Sequence, residues 1–318
     1  KLGGKSMFIV NRIFPAKEIL SSYTFDMNVF KWSKLMMIFF PLKVIEILLL
    51  FFKYRPKIII AMGGNICVPI SYFAWLFRIP VIALEQNVLP GKATRYIQFI
   101  ASELITSFTE TSTYLKRRQI KCLGNPLRVN YLNTSLLPAE VYQLEGNVLL
   151  IIGGSQGAKG INEWVIKHKD MLIKNGWNII HLTGHTQCRD SKKVEYKKGE
   201  QIFQYIPIPY CENINQLYAM ATSIICRAGA TTLAELKHTK IPAILVPFPY
   251  ASDNHQEVNA LTLKNQLDHI EVINQKDLNT VDILSILNKF AQLNIKKQPI
   301  KECLVTESIC RLIESYLQ

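Results

Sequence analysis

The chain has no C-x-x-C, although it carries seven cysteines among its 318 residues. An odd set of unpaired thiols argues against a disulfide framework and fits a reducing, cytosolic setting. No metal site is readable in the sequence. There is no lysine-bearing P-loop and no G-x-G-x-x-G, which removes the two commonest nucleotide-binding fingerprints. No fixed short period argues for a repeat protein, and no signal-peptide pattern is present. The chain starts at Lys1 in mid-pattern, which leads us to expect a true amino terminus further upstream. Acidic residues are scarce in one half only. Residues 1–135 hold 6 Asp/Glu against 18 Lys/Arg, and residues 136–318 hold 18 against 19. A basic first half implies an anionic partner there. Basic and aromatic residues do not interleave as in a recognised nucleic-acid module, so a membrane surface is favoured and no nucleic acid is expected.

A clean spanning helix is also missing. The most apolar run, LMMIFFPLKVIEILLLFF at 35–52, is interrupted by Pro41, Lys43 and Glu46 and flanked by Lys34, Lys53, Arg55 and Lys57. Charges at mid-bilayer are costly. The run reads as a helix lying at the membrane interface, residues 34–57 meeting anionic head groups; a buried core helix is the alternative.

What is present is alternation. Short apolar runs at 57–64, 80–84, 103–108, 147–152, 178–184, 202–206, 223–227 and 243–246 read as buried strands, with a further candidate at 6–10. Helices are expected at about 68–77, 111–118, 212–220, 230–238, 254–265, 279–290 and 302–317, and another from Pro90-Gly91 to about Ala101. The helix after Ala158 places Ile161, Trp164, Val165, His168 and Leu172 on one face, His168 as a half-buried face residue. The expected fold class is α/β, with two doubly wound parallel-sheet, Rossmann-like domains facing a cleft. The expected boundaries are 1–135 and 136–301, with 129–146 as linker and the last helix, 302–318, packing back on the first domain.

Two turns stand out. Gly153-Gly154-Ser155-Gln156-Gly157-Ala158 follows a strand and opens a helix, so its backbone amides can approach an oxygen-rich group. About 75 residues later, Arg227 to Thr232 forms a second small-residue turn opening the helix that carries Glu235. A carboxylate one turn into a helix suits two sugar hydroxyls. Two helix N-termini in one domain suggest a diphosphate ligand, the alternative being an ordinary βαβ unit with structural tight turns.

Taken together, GGSQGAKGIN, CRAGATTLAE, DNHQEVNA, EQN with the following PGK, and GNPLR resemble the MurG family, in its order and spacing, from about Gly63 to the carboxyl end. The resemblance implies a glycosyltransferase B-type enzyme, a hexosyltransferase. It would move N-acetylglucosamine from UDP-GlcNAc to lipid I with inversion, giving lipid II for peptidoglycan. It also implies no cofactor and no required metal, and a peripheral place on the cytoplasmic face of the bacterial inner membrane. Ser155 would contact the donor diphosphate with the loop Gly153, Gly154, Gln156 and Gly157. Asn87 and Arg128 would line the donor side. Ala230, Thr231, Thr232, Leu233, Ala234 and Glu235 would hold the nucleotide, Glu235 on the ribose. Gln256 would face the sugar hydroxyls, and Cys211 occupies the position whose backbone reads uracil. Gly63, Gly64 and Asn65 fall on the acceptor side.

The sequence departs from the family in three places. The family's first glycine loop, GGTGGH-like, precedes everything here, and Lys1-Leu2-Gly3-Gly4-Lys5 does not replace it. The general base is expected in that upstream segment, with His255 the nearest alternative. Gly63-Gly64-Asn65-Ile66-Cys67-Val68-Pro69 differs from the usual second loop, and Leu84 stands where histidine commonly precedes EQN. A related transferase with another lipid acceptor, a UDP-sugar epimerase and an inactive donor-binding remnant remain as alternatives.

Overall fold

The computed structural model describes residues 7–10, 26–29, 40–127, 137–154, 156–184, 192–211, 214–293, 295–298, 300 and 304–318. Contacts divide the chain into two units: Lys1–Asn125 with Leu304–Gln318, and Pro126–Cys303.

In the first unit, β1 (Met7–Val10) and β2 (Asp26–Val29) pair in parallel as a sheet of their own. Helix α1 (Phe40–Tyr54) leads to β3 (Ile59–Ala61), α2 (Cys67–Leu76), β4 (Val81–Glu85), α3 (Lys92–Ile97), β5 (Glu103–Thr106) and β6 (Lys121–Cys122). The strands form one parallel sheet in the order β3-β4-β5-β6. The part of the 35–52 run before Phe40 lies outside the described residues. Helix α1 is apolar on more than one side. Ile47 and Phe51 are buried against α2, while Ile45, Leu49 and Phe52 are exposed. One stripe of the helix is core and another is bare. Among the described residues no helix is long and apolar enough to cross a membrane.

The helix expected at 111–118 is not one. A 3-10 turn, Thr109–Tyr114, takes its place. Ser112 and Thr113 hydroxyls donate to the carbonyls of Thr109 and Glu110, a local alternative that competes with helix propagation. Arg117 donates to the carbonyls of Gln98, Ala101 and Ser102 instead of lying on a helix face.

In the second unit, β7 (Asn147–Ile152), α4 (Lys159–Lys174), β8 (Trp177–Leu182), β9 (Val194–Lys198) and β10 (Gln201–Ile208) come first. Then follow α5 (Ile214–Met220), β11 (Ser223–Cys226), α6 (Ala230–Thr239), β12 (Ala243–Leu245), α7 (His255–Gln266), β13 (Ile270–Val272) and α8 (Ile283–Gln292). The sheet order is β13-β12-β11-β7-β8-β10-β9, parallel throughout except for β9. All six residues of β8 are buried, as a strand covered on both faces requires. Helix α4 buries Ile161, Trp164, Val165 and Leu172 as its spacing predicts. His168 is half-buried, its ring stacked on Trp164 and its Nδ1 against the Trp164 carbonyl. The hairpin of β9 with β10 is absent from the sequence reading because VEYKK has no apolar run; as a charged edge strand it needs none.

The last helix, α9 (Leu304–Ser315), belongs to the first unit. Strand β4 shows why. Val81 and Ala83 face the cluster made with Ile47, Ile70, Ala74 and Ile97. The alternate residues Ile82 and Leu84 face the opposite way, onto Ile309 and Ile313 of α9. Burying those two isoleucines contributes about 1.5–3 kcal/mol each. Among the described residues, α9 is the helix that covers the second face of the sheet.

Candidate functional site

Strands β7 and β11 are neighbours and parallel, with Ile152 opposite Cys226. From β7 the chain moves to β8 on one side; from β11 it moves to β12 on the other. The turns that leave these two strand ends therefore straddle the point where strand order reverses, where open α/β sheets bind ligands. The Arg227 amide donates to the Ile152 carbonyl, which ties the turns together. Helix α4 starts after Ala158 and α6 after Gly229, neither with a side-chain cap. The first-turn amides of α6, from Ala230 through Thr232, have no intrahelical acceptor and carry the positive end of the helix dipole.

The turn with Gly153, Gly154, Gln156 and Gly157 and the turn that opens onto Ala230, Thr231 and Thr232 thus leave adjacent strand ends; Ser155 and Arg128 lie outside the described residues. Leu233 is core, Ala234 is half-buried, and Glu235 is buried. The Glu235 carboxylate accepts a 2.6 Å hydrogen bond from the Tyr218 hydroxyl. Cys211 is half-buried just beyond β10. Pro209, two residues earlier, accepts from the Gly184 amide at the exit of β8.

Gly157 packs on the Thr183–Gly184 backbone that follows β8. Behind this contact runs a buried polar chain. Asn162 donates through Nδ2 to the Thr183 carbonyl at 2.8 Å, and its Oδ1 lies 3.0 Å from His181 Nε2. Nδ1 of His181 lies 3.0 Å from the Tyr205 hydroxyl. A carbonyl only accepts, so the Asn162 amide nitrogen must face Thr183. Its oxygen then faces His181, which must donate from Nε2 and accept at Nδ1. Burial pushes the His181 pKa down to about 4 and keeps the ring neutral. The unfolded ring titrates near 6.5, so below that pH the unfolded state binds the extra proton. Stability present above pH ~6.5 is thus lost as pH falls toward 4, by about 3 kcal/mol for this group. Urea unfolding at stepped pH should show that loss in the parent and a shallower one in His181→Gln. Equal slopes would sink the argument.

Arg227, in the turn after β11, is a residue that the sequence reading left without a role. It donates to the carbonyls of Val246 and Pro247 and to Gln275 Oε1, and its guanidinium lies over the Phe248 ring. Partial burial lowers its pKa to about 10, still charged at neutral pH. Gln256 braces the same loop, its Oε1 accepting from the Phe248 amide at 3.0 Å. The only advance signal for Arg227 was its place inside the CRAGA turn. His255 sits at the start of α7 with Nδ1 against the Ser252 carbonyl.

In the first unit, Glu85 at the end of β4 is buried and acts as a hub. Its Oε1 accepts from the Asn87 amide, its Oε2 from the Gly91 amide and from Thr94 Oγ1 at 2.6 Å. Asn87 is further held by Thr111 Oγ1, which donates to its carbonyl. The EQN…PGK segment is therefore one hydrogen-bonded loop centred on a carboxylate. Gly63, Gly64 and Asn65 leave β3. The Cys67 thiol donates to the Gly63 carbonyl, and burial pushes the thiol pKa up. Asn65 also rims an apolar hollow of about 520 Å³ lined by Val44, Val68, Tyr72, Phe73 and Trp75.

Two family models match: the glycosyltransferase family 28 C-terminal domain over residues 148–309 and the glycosyltransferase family 28 N-terminal domain over residues 14–106. The UDP-N-acetylglucosamine–N-acetylmuramyl-(pentapeptide) pyrophosphoryl-undecaprenol N-acetylglucosamine transferase of Prochlorococcus marinus (strain MIT 9515) is 34% identical over 76% of this chain and 64% of its own length. The same-named protein of P. marinus subsp. pastoris is 30% identical over 85% of this chain and 72% of its own length. The chain thus spans less than two thirds of the first of these relatives. Acinetobacter baumannii MurG shares the fold, with a TM-score of 0.66 at 22% identity over 98% of this chain and 91% of that one. On these matches, and with two α/β units that carry the family's motifs at their strand ends, the chain belongs to the MurG family of glycosyltransferase family 28.

Proposed function

We propose that this chain transfers N-acetylglucosamine from UDP-GlcNAc to lipid I, with inversion at the anomeric carbon, to form lipid II. The observation that carries the reading is the pair of small-residue turns at the β7/β11 switch point, in a chain with this family's sequence. A base takes the proton from the 4-hydroxyl of the acceptor. The freed oxygen attacks the anomeric carbon, the bond from that carbon to the diphosphate oxygen breaks, and UDP leaves with the electron pair. The developing charge on the diphosphate is met by the glycine-loop amides and the first-turn amides of α6. Glu235 takes the ribose hydroxyls. Arg227 and Gln256 hold the Val246–Phe248 loop in shape, and Gln256 also meets the sugar.

Features of the first unit support a reading of membrane association. Leu49, Phe52 and Trp75 are 63%, 68% and 57% exposed, and Lys53, Arg55, Lys57 and Arg78 lie in the same segments. An exposed apolar face with basic neighbours suits the anionic cytoplasmic leaflet, which a peripheral enzyme with a lipid-linked acceptor must reach.

The test is transfer of labelled N-acetylglucosamine from its UDP donor to lipid I in anionic and in neutral vesicles, using the full-length protein. Turnover, faster on anionic vesicles and slowed by salt, is the expected result. UDP binding without transfer to lipid I would move the acceptor to another lipid. Absence of UDP binding would overturn the reading.

A further inference from the structure

We propose that Tyr218 is a positioning residue that orients the Glu235 carboxylate for the ribose of a nucleoside diphosphate, and so sets preference for ribose over 2′-deoxyribose. The inference rests on the donor-site reading above and deepens it. Tyr218 lies on α5, before β11, and is 2% exposed; Glu235 lies on α6, after β11, and is 8% exposed. The two elements are joined by the tyrosine hydroxyl donating to Glu235 Oε2 at 2.6 Å. A carboxylate withdrawn from water needs donors, and one from a neutral hydroxyl to a charged acceptor is among the stronger hydrogen bonds. Burial and the nearby Glu235 charge push the tyrosine pKa well above its ordinary value, so the hydroxyl keeps its proton. The adjacent Cys226 thiol is pushed up by the same two causes, burial first. The Thr239 hydroxyl donates to the Glu235 backbone carbonyl, a contact that does not orient the side chain.

The geometry assigns a division of labour. The α6 amides and the glycine loop meet the diphosphate whatever sugar is attached. The carboxylate alone distinguishes a ribose with its 2′-hydroxyl from one without, and only if the group is held. Tyr218 does the holding from α5, which precedes β11.

The experiment is calorimetric binding of UDP and of 2′-deoxy-UDP to the parent and to Tyr218→Phe, with thermal unfolding to verify that both are folded. The parent should prefer UDP. In Tyr218→Phe, UDP should bind about tenfold more weakly, a change of ~1.4 kcal/mol, while 2′-deoxy-UDP should stay within about twofold, so that the preference collapses. In turnover assays KM for UDP-GlcNAc should rise with kcat nearly unchanged. UDP binding indifferent to Tyr218→Phe overturns the inference alone, as does an equal loss for both nucleotides, which a merely structural tyrosine would give. A parent that binds neither nucleotide overturns the donor-site reading and the inference with it.

Discussion

Gly157→Ala should destabilise the second unit by about 2–5 kcal/mol and abolish tight UDP binding. Two costs add. Gly157 has φ +78°, a conformation that costs an L-residue about 1–2 kcal/mol. A Cβ there would also lie 2.2 Å from the Thr183 carbonyl oxygen, and overpacking against backbone costs a further 1–3 kcal/mol or so. Backbone cannot swing aside as a long side chain can. The strand end and the glycine loop must separate, which also pulls Thr183 away from Asn162. Gly199 is the control: its φ is +62° but nothing lies within 4 Å of the added carbon, so only the conformational cost applies. Denaturant unfolding of the two alanine variants decides the point. Equal losses would mean that the Gly157 contact carries no weight.

Glu85→Ala should cost about 3 kcal/mol or more and loosen the loop that carries Asn87. The carboxylate accepts from two backbone amides, one hydroxyl and, at 3.4 Å, the Asn87 side-chain amide, and removing it strands these donors in a largely buried place. Glu85→Gln should recover little. Both carboxylate oxygens accept, so whichever way the amide is turned its NH2 group confronts a donor. Urea unfolding with the KM for donor and acceptor checks both. Full stability in the glutamine variant would show that the loop is held by its backbone rather than by Glu85.

Much of this architecture is legible in the chain. NVLLII predicts β7 to the residue, because a run of five apolar residues after Asn147, too short for a helix and ending in glycines, reads as a buried strand leaving the sheet at a turn. The α4 face is legible because its 3.6 period is unbroken. Where local chemistry competes with periodicity the reading fails. TSTYLKRR looks helical until its hydroxyls turn back on the backbone. VEYKK, β6 and β13 carry too few apolar residues to announce strands that exist only because a neighbour pairs with them.

The candidate site divides in the same way. Its two turns are legible in the sequence, since glycine and small residues mark strand-to-helix junctions. The partners of its side chains are not. Nothing local says that Tyr218 reaches Glu235, that Arg227 turns to the Val246–Phe248 loop, or that His181 lies behind the glycine loop, because each pair is brought together by strand order.

By itself the sequence determined the strand and helix alternation, the turns that suit a diphosphate, and the basic, apolar character of residues 34–57, since propensity, period and charge are local properties. Tertiary structure alone decided which turns become neighbours, which stripe of α1 is buried, and which residues of β4 meet α9. The physical reason is that burial and hydrogen-bond partnership depend on residues far apart in the chain, and only the order of strands in the sheet sets which of them meet.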